Sequence, residues 1–169
     1  MSDKLYGEMI AILDFGSQYN QLIARRVRES KVYCEFFPFN ITPSKLVSLN
    51  PKGIILSGGP ASVTQKGAPF PHRKILELGI PVLGICYGMQ LLAQLLGGEV
   101  TPATKREYGK SELMIGDDED LFYGLKSPLV AWMSHGDRVA KLPSGFEVFA
   151  HTENCPVASM RDKKRRFYG

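Results

Sequence analysis

Through the first hundred residues, short apolar runs alternate with stretches whose apolar residues recur every three or four positions. "EMIAILDF" (8–15) ends at Asp14 and Gly16 and reads as a buried strand entering a turn. The next stretch, "SQYNQLIARRVRES", spaces Tyr19, Leu22, Ile23 and Val27 as one helix face, with Ser17 as its N-cap. "KVYCEFFPF" and "PKGIILSGGP" read as further strands. "HRKILELG" is a short helical piece closed by Gly79, "IPVLGIC" is a strand, and "YGMQLLAQLLGG" is a helix. Alternation of this kind predicts βαβ units: an α/β fold with a mostly parallel sheet flanked by helices, whose chemistry sits at the carboxyl ends of the strands. After Gly97-Gly98 the texture changes to short β-like runs ("SELMIG", "SPLVAWMSHGDRV", "GFEVFAH", "CPVASMR"), which predict a strand-rich second half extending or packing beside that sheet. Nothing marks a domain boundary, so residues 1–169 read as one domain.

Composition narrows the function classes. The chain is 44% hydrophobic and 22% charged, as in an ordinary globular domain. The net charge of +4 owes much to "RDKKRR" (161–166), so no basic stripe suggests a nucleic-acid partner; the cluster reads as a solvated turn or as a face for an acidic partner. No signal-like segment and no apolar run near 18 residues is present, which predicts a cytoplasmic protein without a membrane partner. Cys34, Cys86 and Cys155 have no CxxC spacing, which argues against a disulfide framework and against a metal site.

The candidate chemistry begins at Gly84-Ile85-Cys86-Tyr87-Gly88. A G-x-C-x-G stretch between strand and helix has the form of a nucleophile elbow, and a helix N-terminus favours thiolate over thiol. The same stretch also fits a cysteine that only packs at a strand end. "LSGGPASV" (56–63) shifts the balance toward catalysis: at a second strand end, Gly58 and Gly59 can expose backbone N–H groups, so that the amides of Gly59 and Tyr87 could meet on one oxygen. Cys34 and Cys155 lack an elbow and read as packing or surface thiols. His72 reads as a surface residue at a helix entry and His151 as a turn residue.

With "ILDFGSQYNQLIARRVRE", "SGGPASV", "GICYGMQLL", "WMSHGDRV" and "HTENCPVASM", the chain resembles the class I (triad-type) glutamine amidotransferases, and among them the N-terminal glutaminase domains of GMP synthetases. The resemblance runs from about residue 9 to the end and implies a flavodoxin-like fold. By that resemblance Cys86 attacks the amide of glutamine to form a thioester, and Gly59 and Tyr87 form the oxyanion hole. Gly58, Gln90 and the Ser134-His135-Gly136 segment bind substrate, and Asp137 faces a domain interface. The ammonia would pass to an ATP-pyrophosphatase synthetase domain, fused or separate, which aminates XMP to GMP. ATP and magnesium belong to that domain, with no cofactor in this one, and the full enzyme would be a homodimer.

Such enzymes supply base and acid as His-x-Glu on a strand after an "RFYG" stretch, whereas this sequence stops at Gly169. His135 matches a substrate-side or domain-facing loop and is not that base. The expectation is therefore nucleophile and oxyanion hole without the base, little or no glutaminase activity in these 169 residues, and a sheet edge left open by a missing strand. Two other readings stay open: a regulatory module that keeps the fold without catalysis, or the glutaminase subunit of another class I amidotransferase. A third, a cysteine redox sensor, leaves the Gly-Gly-Pro loop and Gln90 unexplained.

Overall fold

A computed structural model describes residues 8–169, and the side chains of all of these except 104–108, 134 and 135. Four short strands are β1 (Met9–Asp14), β2 (Tyr33–Pro38), β3 (Gly53–Leu56) and β4 (Val82–Gly84). They are followed by β5 (Glu99–Ile115), β6 (Leu129–Lys141), β7 (Glu147–His151), β8 (Ser159–Asp162) and β9 (Phe167–Tyr168). The helices are α1 (Asn20–Glu29), α2 (Pro43–Leu49) and α3 (Tyr87–Leu95), with a 3-10 turn at Arg73–Glu77 where the sequence predicted a short helix. All strands join one sheet in the order β2-β1-β3-β4-β9-β8-β7-β5-β6. The first five in that order run parallel, and every pairing from β9 through β6 is antiparallel. The α/β architecture with a strand-rich second half is therefore as predicted, and the second half extends the sheet.

Strand alternation divides the core in two. Ala11 and Leu13 of β1 and Ile54 and Leu56 of β3 point to the face covered by α2 and α3, where Leu46, Leu91 and Leu92 are fully buried. Ile12 and Ile55 point to the opposite face, against Ala24, Ile23 and Val27 of α1. This period of two places helices on both faces of the parallel half.

Four sequence expectations need correction. Ser17 does not cap α1, which starts at Asn20 after Tyr19; its hydroxyl instead accepts from the Tyr19 N–H in the preceding turn, at 3.0 Å. Tyr19 and Leu22 face solvent, because Ala24, too small to register in an apolar pattern, takes the inner position. Helix α2 was unforeseen: its signal is Thr42, whose hydroxyl accepts from the Lys45 N–H at 3.3 Å, followed by Pro43 in the first turn. Finally, β9 at the end of the chain lies inside the sheet between β4 and β8, so the edges are β2 and β6.

Candidate active site

The end of β4 and the start of α3 meet in a turn that leaves no room for side chains. A Cβ on Gly84 would lie 2.5 Å from the carbonyl of Gly88, and a Cβ on Gly88 would overlap the carbonyl oxygen of Leu56 in β3. Both glycines of G-x-C-x-G are thus required by close backbone approach. Between them, Cys86 takes φ 51°, ψ −109°, a left-handed conformation that costs a non-glycine residue on the order of 1–3 kcal/mol. The surrounding close packing holds it there, with Cys86 open to solvent.

Tyr87 anchors this elbow. Its ring is buried against Phe15 (centroids 5.6 Å apart) and its hydroxyl donates to the Pro69 carbonyl at 2.8 Å. Burial pushes the phenol pKa up to about 12, so it stays a donor.

The Gly-Gly-Pro loop is held from beneath by Ser57. This fully buried hydroxyl accepts from the Phe15 N–H at 3.0 Å and donates to the Gly58 carbonyl at 2.9 Å. Gly59 is pressed against the Phe15 backbone, where an added Cβ would lie 2.5 Å from the carbonyl oxygen. Gly58 faces the nucleophile, with the position of an added Cβ 3.6 Å from Cys86 Cβ. Among the described residues, the N–H groups of Gly59 and Tyr87 have no acceptor. Two donors without acceptors therefore stand in the segments next to the nucleophile, Tyr87 following Cys86 in the chain and Gly59 following Gly58, whose added Cβ would lie 3.6 Å from Cys86 Cβ.

Beyond Cys86 opens a cleft of about 120 Å³ lined by Cys86, Met89, Gln90, Trp132, Asp137 and Arg138, among others. Buried Gln90 spans from α3 to β6, its Nε2 donating to the Asp137 carbonyl at 3.3 Å. Gly136 lies on the same strand; the side chains of Ser134 and His135 fall outside the described residues. Cys34 and Cys155 are buried, as packing predicts, but Cys155 also lines this cleft, which no spacing rule signalled.

His72 is exposed just ahead of the 3-10 turn. His151 is the last residue of β7 rather than a turn residue, and it lines a separate depression with Lys110, Glu112 and Glu153. Neither lines the Cys86 cleft. The expectation of a thiolate-favouring elbow is also reversed, because burial pushes the Cys86 thiol above its ordinary value. Desolvation of the sulfur is the cause, and it acts in the direction opposite to the pull expected of a helix end. In the polypeptide of these 169 residues, the pH profile of Cys86 alkylation by iodoacetamide is expected to have its midpoint above that of a free cysteine thiol measured alongside. A midpoint near neutrality, read by peptide mass, contradicts this balance.

A solvent-exposed cysteine at a strand-to-helix elbow beside a loop of free amides, on a parallel sheet, defines a class of acyl-transfer site. Residues 11–169 match the family Glutamine amidotransferase class-I, and the chain belongs to that family. It is 54% identical over 162 residues to a glutamine-hydrolysing GMP synthase of Caldanaerobacter subterraneus, covering 96% of this chain and 32% of that protein. It is 51% identical over its whole length to the GMP synthase of Synechocystis, of which it covers 31%. The chain thus spans about a third of the curated relatives it matches. Among solved structures, a Thermoplasma acidophilum protein assigned as one subunit of a GMP synthase superposes with a TM-score of 0.85 at 30% identity, covering 95% of this chain and 81% of that one. A glutamine amidotransferase of Thermotoga maritima shares the fold (TM-score 0.74, 20% identity, 96% and 73% coverage). Among the described residues no helix is long and apolar enough to cross a membrane.

Proposed function

We propose that this chain is the glutaminase domain of a GMP synthase, supplying ammonia to a synthetase domain that aminates XMP to GMP at the expense of ATP. The observation that carries the reading is the strained Cys86 elbow with the unpaired N–H groups of Gly59 and Tyr87 in the segments next to it. As thiolate, Cys86 attacks Cδ of glutamine; the amide π electrons move onto oxygen, where the Gly59 and Tyr87 amides stabilise them. Collapse breaks the C–N bond, the nitrogen leaves as ammonia after taking up a proton, and water hydrolyses the thioester to glutamate and free thiol. Gly58 and Gln90, with the Ser134-His135-Gly136 segment, hold the substrate.

Because the thiol pKa is raised, a base is needed to take its proton and return it to the leaving nitrogen. By the family resemblance, that role falls to a His-x-Glu pair on the strand that follows an "RFYG" stretch. ATP and magnesium act in the synthetase domain, and the whole enzyme is a cytoplasmic ligase.

The full-length protein, treated with a glutamine-mimicking diazo-ketone, is expected to gain one adduct located on Cys86 by peptide mapping, with none in Cys86→Ala. The polypeptide of residues 1–169 is expected to hydrolyse glutamine at least about 100-fold more slowly than the full-length protein, the usual worth of general acid–base catalysis. Labelling elsewhere overturns the nucleophile assignment, and equal turnover overturns the need for a further base.

A further inference from the structure

Arginines near the core of this protein have partners. Arg161 meets three carboxylates, Arg165 meets Asp162, and Arg166 donates to the Gly79 carbonyl. Arg138 differs. It is half-buried on β6, paired across the ladder with Thr101, and its Nε is fully buried with no acceptor. Among the described residues no carboxylate forms an ion pair with its guanidinium. A buried guanidinium donor without a partner is costly, and such groups in native proteins call for an explanation.

Its place supplies one. Arg138 lines the cleft that holds Cys86 and Gln90. The preceding carbonyl, that of Asp137, accepts from Gln90, so the backbone entering Arg138 is tied to the helix that carries the nucleophile. Regular pairing with β5 breaks just beyond Asp137, between Pro102 and Glu107, an irregularity of the kind that re-aims side chains beside a site. Among the described residues lining the cleft, Arg138 is the one cation and Asp137 the one carboxylate. That balance suits a zwitterion, with one carboxylate and one ammonium, better than a phosphate.

We infer that Arg138 binds the α-carboxylate of the substrate amino acid and so sets the length of side chain that reaches Cys86. The inference rests on the glutaminase reading and adds to it a specificity-determining residue. Guanidinium and carboxylate match as a planar two-bond pair, which lysine reproduces only as a point charge.

The test is steady-state hydrolysis by the full-length protein of L-glutamine and of L-glutaminamide, which lacks the α-carboxylate. Arg138→Met is expected to raise the KM for glutamine on the order of 10- to 100-fold with kcat nearly unchanged. Glutaminamide, a poor substrate from the start, should be handled alike by both proteins, and Arg138→Lys should recover part of the loss. If the wild-type protein turns over glutamine but Arg138→Met loses the same factor on both substrates, or loses nothing on either, the assignment of Arg138 falls alone. If the wild-type protein hydrolyses neither substrate and Cys86 resists the diazo-ketone, the glutaminase reading falls and the role of Arg138 with it.

Discussion

Gly88→Ala is expected to be the most damaging single-methyl change in the chain, lowering stability by about 3 kcal/mol or more and silencing Cys86. The added Cβ would overlap the Leu56 carbonyl oxygen in β3, and neither side can yield. Leu56 is fully buried, paired with Gly84 in the parallel ladder, and its carbonyl already accepts from the Ile85 N–H at 2.9 Å. Relief would need α3 to lift off the sheet, and with it the amide of Tyr87. Gly58→Ala separates the two consequences. There the new Cβ has no neighbour nearer than 3.5 Å, yet sits 3.6 Å from Cys86 Cβ. Urea unfolding should find Gly58→Ala close to wild type, while its diazo-ketone labelling slows. A Gly88→Ala protein that unfolds at the wild-type urea midpoint would show that the packing of α3 on β3 is not rigid.

Arg161→Met is the second large effect, expected to cost about 2–4 kcal/mol, discounted from the full value of a buried ion pair because the partner carboxylates are partly exposed. Arg161 is 3% exposed. Its guanidinium donates to Asp117 at 2.5 and 2.9 Å, Glu147 at 2.7 Å and Asp120 at 3.2 Å, and it lies 3.9 Å from the centre of the Phe149 ring. Burial works against its charge, but Asp117 and Glu147 outweigh it and raise its pKa. In return the Arg161 hydrogen bond holds the Asp117 carboxyl below the usual range. A lowered native pKa contributes stability that is present above the ordinary carboxylate value and lost as pH falls through the native value. The gap between wild type and Arg161→Met should therefore be full at neutral pH and shrink below about pH 4. A gap of equal size at pH 7 and pH 3 would assign the effect to packing on Phe149 alone.

These residues also mark where the sequence was legible. The run "RDKKRR" read as a solvated turn or a face for an acidic partner, because its one acid, Asp162, can take up only one of its five cations, and in the structure that is Arg165. The acids that take up Arg161 lie 44, 41 and 14 positions earlier in the chain; Glu147 becomes its neighbour because β7 pairs with β8, while Asp117 and Asp120 follow the end of β5, which pairs with the other edge of β7. Lys163 likewise reaches Glu119. Tyr19 and Leu22 misled for a related reason: spacing identifies a helix face, but which face is buried depends on what the sheet presents to it.

The parallel half of the sheet, the elbow at Cys86 and the Gly-Gly-Pro loop were written in the sequence because each depends on short-range physics. Apolar runs of strand length bury on both faces, and glycines stand where backbone meets backbone. Only the tertiary structure decided the rest. It set Ser57 beneath the loop, carried Gln90 across to the Asp137 carbonyl, left Arg138 facing the cleft unpaired, and desolvated the thiol that the helix end alone would have favoured as thiolate. Each of these is an interaction between groups distant in sequence or a balance of opposing electrostatic effects. Such terms depend on distance and burial, which no local pattern of residues records.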